Sequence, residues 1–175
     1  MTVWRYEIMG SPLGDIHLIA QDDTLCMLEF DGDEKRMRRL IGQRFGQNEI
    51  ESGAAPAAIS EAIAAYFEGE FDALNAIPTK TNGTDFQERV WRALRDIPPG
   101  STTSYGVLAK RLGAPGASRA VGMANGANPV AVVIPCHRVI GADGSLTGYG
   151  GGLDKKRWLL AHEGIAPWRQ GELTL

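Results

Sequence analysis

The chain has 175 residues, 43% of them hydrophobic, and a formal net charge of −3. That length fits one large or two small domains with a real apolar core. No apolar run approaches the roughly 18 residues of a membrane span, and Met1-Thr2-Val3-Trp4-Arg5-Tyr6-Glu7 lacks the basic-then-apolar layout of a secretion signal. With Cys26 and Cys136 as the only cysteines, a disulfide framework is not expected, and a reducing cytoplasm is the simplest setting. Charge is unevenly spread: residues 1–84 hold 7 Lys+Arg against 14 Asp+Glu, and residues 85–175 hold 11 against 7. A polyanionic partner would therefore meet the second half.

The first 31 residues read as a β-meander. Residues 3–8 alternate, with Trp4, Tyr6 and Ile8 on one side. Ser11-Pro12-Leu13-Gly14 is a turn, and residues 16–20 and 25–30 give two more short strands. Residues 34–45 carry Met37, Leu40, Ile41 and Phe45 at helical spacing. Residues 56–68 form a second helix, with Pro56 near its first turn and Gly69 closing it. His17 and Cys26 on neighbouring strands fall short of the three or four ligands that zinc requires, so no metal is expected. The run Glu34-Lys35-Arg36-Met37-Arg38-Arg39 reads as a solvated helix face. Residues 71–84 are a connector, and a domain boundary is placed near residue 80, giving domains 1–80 and 81–175.

Thr84-Asp85-Phe86-Gln87 is a capping-box pattern, opening a helix with Phe86, Val90, Trp91 and Leu94 on its apolar face and ending at Ile97-Pro98-Pro99-Gly100. Ser104 is positioned to cap the next helix, which carries Val107, Leu108 and Leu112. Gly113-Ala114-Pro115-Gly116 turns the chain into a short helix over residues 117–125, rich in Gly and Ala, with Arg119 near its start. Helix, short turn and helix suit a helix-turn-helix; an ordinary αα-corner has the same pattern.

After Asn128-Pro129, a strand-like apolar run over residues 130–134 leads into Pro135-Cys136-His137-Arg138-Val139-Ile140, and Gly141-Ala142-Asp143-Gly144 leads out. A thiol attacks only as thiolate, and neighbouring His or Arg lowers its pKa. A packing cysteine, the alternative, does not need cationic neighbours. Leu146-Thr147-Gly148-Tyr149-Gly150-Gly151-Gly152-Leu153 is a glycine-rich loop without P-loop spacing, which reads as a pocket wall. Asp154 is the expected cap of a last helix over residues 155–162, with Gly164 after it. Residues 166–175 are expected to be loosely held. A Cys, a His and a carboxylate suit nucleophilic catalysis; Cys-hydrolase chemistry uses the same groups, but the local protease signatures are absent.

Pro135-Cys136-His137-Arg138-Val139-Ile140 resembles the active-site signature of the O6-alkylguanine-DNA alkyltransferases. The likeness extends through Ser104-Tyr105-Gly106, Ser118-Arg119-Ala120-Val121-Gly122, Asn128-Pro129, Gly148-Tyr149 and Trp158-Leu159-Leu160-Ala161-His162-Glu163-Gly164, and the chain is similar to the bacterial single-chain type. The resemblance implies an α+β fold. A ribonuclease H-like N-terminal domain with a small antiparallel sheet would precede a mostly helical, winged-helix-like domain.

It also implies one-turnover transfer of an alkyl group from O6-alkylguanine in double-stranded DNA, possible also for O4-alkylthymine, to Cys136, with no cofactor and as a monomer. His137, oriented by Glu163, would take the thiol proton through a water, and Tyr105 would protonate the leaving guanine. Asn128 would support the turn below the cysteine. Arg119 would fill the stack vacated by the flipped nucleotide, with Ser104, Tyr105, Ala120, Ala124 and Asn125 also at the DNA. Tyr149, Gly150, Gly151, Val139 and Ser145 would wall the base pocket. Gly150 stands where some relatives carry Ser, which implies room for adducts larger than methyl. The competing readings are a lesion-recognition protein without transfer, which Cys136 argues against, and a helix-turn-helix regulator.

Overall fold

A computed structural model describes residues 3–46 and 49–165. The expectation for residues 166–175 lies outside them. The fold is α+β, in two compact units: residues up to Asn82 with Pro129–Val133, and Gly83–Asn128 with the chain from Ile134 onward.

The first unit is built on strands β1 (Trp4–Met9), β2 (Ile16–Gln21) and β3 (Thr24–Phe30), an antiparallel meander. A short strand β4 (Ile50–Ser52), absent from the sequence reading, pairs parallel with β1, so the sheet is mixed rather than antiparallel, in the order β3-β2-β1-β4. Three residues, Ile50-Glu51-Ser52, are too few to show period-2 alternation. Helix α1 (Glu34–Phe45) is capped by the Asp33 side chain, which accepts from the Arg36 amide. Its Leu40 and Phe45 pack with Trp4, Ile19, Cys26 and Met27 into one core cluster. Arg36 pairs with the buried Glu29 at 3.1 Å, while Glu34, Lys35, Arg38 and Arg39 are exposed on a solvated helix face.

Helix α2 (Ala57–Phe67) buries Ile59, Ile63 and Tyr66, and Gly69 follows at φ +105°, a conformation that suits glycine. Glu7 on β1 ties this region down by accepting from the Ala55 amide and the Ser60 hydroxyl. The connector contains a 3-10 turn, Phe71–Ala76, and then bridges the outer edge of β3 at Leu25↔Thr79. Both ring nitrogens of His17 are engaged, one by the Tyr6 hydroxyl and one by Asp31, and burial pushes the Cys26 thiol up to about 11.

In the second unit, helix α3 (Asp85–Arg95) begins with the expected capping box: Thr84 accepts from the Gln87 amide and Gln87 from the Thr84 amide. The buried Trp91 donates its indole N–H to the Ala124 carbonyl at 2.8 Å, fixing α3 to helix α5 (Ser118–Gly126). Helix α4 (Tyr105–Arg111) is capped by Ser104, whose hydroxyl accepts from the Val107 amide. Strands β5 (Thr103–Ser104) and β6 (Val139–Ile140) pair in parallel. Helix α6 (Leu153–His162) starts earlier than expected, after Gly152 at φ +94°. Asp154 lies in its first turn, where a carboxylate favours the positive helix end without capping it.

The apolar run before the cysteine is buried but is not a strand. Val130 makes one isolated bridge with Leu28. The chain then turns: the Val133 amide donates to the Ala131 carbonyl at 2.8 Å around Val132 at φ +69°. This is the rare, strained form of γ-turn, and a β-branched residue there is an outlier.

Gly83 has no room for a side chain. A Cβ there would lie 2.4 Å and 2.7 Å from Trp91 ring carbons. Gly83→Ala should destabilise the protein by about 1–3 kcal/mol through overpacking, whereas Gly53→Ala, which meets only the Arg5 side chain at 3.5 Å, should change little. Denaturation midpoints of the two variants check this.

Candidate active site

Cys136 is delivered by backbone geometry. Pro135, at φ −81° and ψ 65°, forms the commoner inverse γ-turn, with the Cys136 amide donating to the Ile134 carbonyl at 2.8 Å. A 3-10 turn, Cys136–Arg138, then feeds β6. Two buried amides brace this corner: Asn128 Nδ2 donates to the Ile134 carbonyl at 2.7 Å, and Asn125 Nδ2 to the Cys136 carbonyl at 3.3 Å. The thiol belongs to a residue only 7% exposed.

His137 and Glu163 are both buried, and the His137 Nε2 lies 2.9 Å and 3.1 Å from the two carboxylate oxygens. Arg138 closes on the same carboxylate in a two-pronged pair, Nε to Oε1 at 2.7 Å and an η nitrogen to Oε2 at 2.9 Å. Its other η nitrogen donates to the Ile97 carbonyl at 2.6 Å. Glu163 follows the last residue of α6, where a carboxylate faces the negative helix end. Burial would raise its pKa, but the adjacent imidazole and guanidinium reverse this and hold it at about 2. Burial lowers the His137 pKa, with Glu163 opposing.

Arg138 already neutralises the carboxylate through two charge-assisted bonds, so His137 is neutral. Its Nε2–H donates to Glu163. Its Nδ1, which has no hydrogen-bond partner, then carries the basic lone pair.

Lys156 of α6 is wholly buried and donates to the Val139 carbonyl at 2.7 Å and the Thr147 carbonyl at 2.8 Å. Burial draws its pKa down to about 8, with Cys136 acting in the opposite direction. Lys156 is thus a cation coupled to the thiol, and the guanidinium of Arg138, expected to lower the thiol pKa, is paired with Glu163. Neither the Arg138 clamp nor the Lys156 pin was anticipated. A buried charge inside an apolar helical stripe gives a pattern no different from a solvated one.

Tyr105 at the start of α4 has its hydroxyl 2.9 Å from that of Thr147 on the glycine-rich loop, and its ring lies beside Gly122 of α5. On α5, Arg119 and Ala120 are exposed as expected of a DNA-facing side. Ala124 and Asn125 are not: both are buried, the Ala124 carbonyl accepts from the Trp91 indole, and the Asn125 side-chain amide donates to the Cys136 carbonyl. The exposed positions continue instead to Met123, at 73% exposure, and Gly126. Ser145 folds back on its own turn, its hydroxyl donating to Asp143 at 2.6 Å, and the Gly141 amide donates to the Ser145 carbonyl. Val139 is buried, Tyr149 and Gly151 are half-buried and Gly150 is exposed.

The family model described as "6-O-methylguanine DNA methyltransferase, DNA binding domain" matches residues 85–165, and "6-O-methylguanine DNA methyltransferase, ribonuclease-like domain" matches residues 4–81. A methylated-DNA–protein-cysteine methyltransferase of Salmonella typhimurium is 45% identical over 161 residues, spanning 90% of this chain and 94% of the relative. The chain belongs to the 6-O-methylguanine DNA methyltransferase family. A relative of the same description from Mycolicibacterium paratuberculosis is 47% identical over 162 residues, covering 91% of this chain and 92% of the other. The crystal structure of Mycobacterium tuberculosis OGT in complex with DNA superposes with a TM-score of 0.78 at 43% identity, covering 91% of this chain and 92% of that one.

Glu163→Gln would leave Arg138 buried without its counter-charge, and a cost of about 3–5 kcal/mol at neutral pH is expected. The Glu163 pKa is depressed in the folded protein, from an ordinary 4.5 to about 2. Its stabilisation is therefore full above the ordinary value and is lost as pH falls through the folded one. The stability gap between parent and variant should narrow over that window, as read by denaturation at a series of acid pH values.

Proposed function

We propose that this chain repairs DNA by direct reversal, moving the alkyl group of an O6-alkylguanine in duplex DNA onto Sγ of Cys136, once per molecule. One observation carries the reading: in a member of this family, Cys136 is followed by a buried His137 whose Nε2 lies 2.9 Å from Glu163 and whose Nδ1 has no hydrogen-bond partner, which leaves Nδ1 as the base. His137 takes the thiol proton through a water. The thiolate attacks the alkyl carbon, the S–C bond forms as the C–O6 bond breaks, and the electron pair returns to O6. Tyr105 donates a proton to the leaving guanine and regains one from solvent, to which His137 releases its own. The thiol proton is thus replaced by the alkyl group, and guanine is restored. A thioether does not hydrolyse, so Cys136 is not regenerated.

The alkyl carbon is inaccessible inside a duplex, so the nucleotide is extruded. Arg119 on the exposed side of α5 takes the vacated place, with Ala120 beside it and Ser104 and Tyr105 at the displaced backbone. Tyr149, Gly150, Gly151 and Val139 receive the base. Gly150 leaves space for adducts larger than methyl. Lys156 fixes both sides of this pocket through the Val139 and Thr147 carbonyls and favours the thiolate by its charge. Among the described residues no helix is long and apolar enough to cross a membrane. Cytoplasmic residence suits a protein neither of whose cysteines is in a disulfide and whose reaction needs a reduced thiol.

Incubation with a duplex holding one O6-methylguanine should add a single methyl group to the intact mass, mapping to Cys136 and absent from Cys136→Ala. An unmodified parent protein that still binds the lesion would support recognition without transfer. At saturating DNA, His137→Gln should slow the single-turnover transfer by roughly 10²–10⁴-fold. The transfer rate should fall as pH rises through about 8, where Lys156 loses its proton. A Lys156→Met variant should be slow throughout and lack that alkaline limb.

A further inference from the structure

Beside α3 and α4 lies an open groove of about 340 Å³, lined by Arg89, Arg92, Ala93 and Asp96 of the α3 segment and by Leu108, Arg111 and Leu112 of the α4 segment. Positions 89, 92, 93 and 96 fall on one stripe at helical spacing. Arg89 donates to the Leu112 carbonyl and Arg92 Nε to the Glu88 carbonyl. Each guanidinium has five N–H donors, so most of those in the groove are uncommitted. Among the described residues, no carboxylate lies within ion-pair distance of Arg89, Arg92 or Arg111. Asp96 is the one acid in the lining, so the groove is a net cationic cradle with an apolar floor from Leu108 and Ala93.

The rest of the second half is differently disposed. Arg138 and Lys156 are buried in the active site, and α5 carries one cation, Arg119. The groove thus brings together three cations of the second half, Arg89, Arg92 and Arg111, against one on α5. Trp91, which binds α5, is two residues beyond Arg89, a rotation of roughly 200° about the helix. The arginine stripe therefore lies on the side of α3 turned away from α5.

We infer that this groove is a phosphodiester-binding subsite, at which Arg92 and Arg111 hold a DNA backbone phosphate other than those contacted by α5. The inference rests on the DNA-repair reading. Guanidinium forks match phosphate oxygens two at a time, and uncommitted arginines in an open groove release counterions on meeting a polyanion. The phosphate belongs either to the far flank of the lesion duplex or to a second DNA segment.

The test uses the full chain with Arg92→Gln/Arg111→Gln, sparing Arg89 because it caps α4, and with exposed Arg39→Gln of the first unit as control. Affinity for lesion-free duplex is measured across a salt series on a short and a long duplex, together with alkyl transfer from free O6-benzylguanine, which needs no DNA. The double variant should bind roughly tenfold more weakly, with a salt slope smaller by about one, while its reaction with the free base and its melting temperature match the parent. Weakening on both duplexes assigns the phosphate to the lesion duplex. Weakening on the long duplex alone assigns it to a second segment. Unchanged affinity and slope on both would overturn the inference. Failure of the parent to react with free base or lesion DNA would instead count against the repair reading, independently of the groove.

Discussion

The active site depends on one buried carboxylate. Glu163 sits at the electrostatically wrong end of α6 and is inaccessible to water, so it can be ionised only with strong partners. Arg138 supplies the charge and two hydrogen bonds, and His137 a third. Because Arg138 satisfies the charge, His137 need not be an imidazolium. It is left neutral, in a fixed tautomer, with its free nitrogen unspent. Through the Ile97 carbonyl the same guanidinium reaches the end of α3. The last turn of α6, the cysteine segment and the residue beyond α3 are thereby tied to one ion pair.

The backbone before the cysteine is costly. Val132 in the left-handed region stores on the order of 1–3 kcal/mol, and the chain reverses again at Pro135 before entering a 3-10 turn. Such a corner exposes carbonyls that a helix or strand would satisfy, and burying them unpaired is unfavourable. Asn128 and Asn125 supply side-chain donors, one on each side of Pro135. Each of these carbonyls also accepts from a backbone N–H, Ile134 from the Cys136 amide and Cys136 from the Val139 amide, so the two side-chain amides add a second donor to each and brace the corner.

Much of this was legible in the sequence. The meander, α1, α2 and the capping box at Thr84 follow from periodicity and turn chemistry, which are local. Cys136, His137 and the turn around them were visible because a proline, a thiol and two cationic side chains stood together. Three features were not legible. The strand β4 is too short to show a period. The run 130–134 has strand composition, but a γ-turn at Val132 breaks it, and nothing in five apolar residues announces a positive φ. The buried face of α6 carries Lys156, Leu159, Leu160 and Glu163 at i, i+3, i+4 and i+7, so its two ends are charged and the helix looks barely amphipathic. The resemblance implied a DNA-facing Asn125, but its side chain is buried and its amide serves the Cys136 carbonyl, a contact no local pattern shows.

The central claim is that His137 is a neutral imidazole protonated on Nε2 and basic on Nδ1. Nitrogen NMR of histidine-labelled protein, with His137 assigned by comparison with His137→Gln, reads this directly. The account predicts a neutral ring at neutral pH with the proton on Nε2, and Arg138→Met should shift that ring's pKa upward as the guanidinium's repulsion is removed. An imidazolium in the parent protein, or a proton resting on Nδ1, would contradict it.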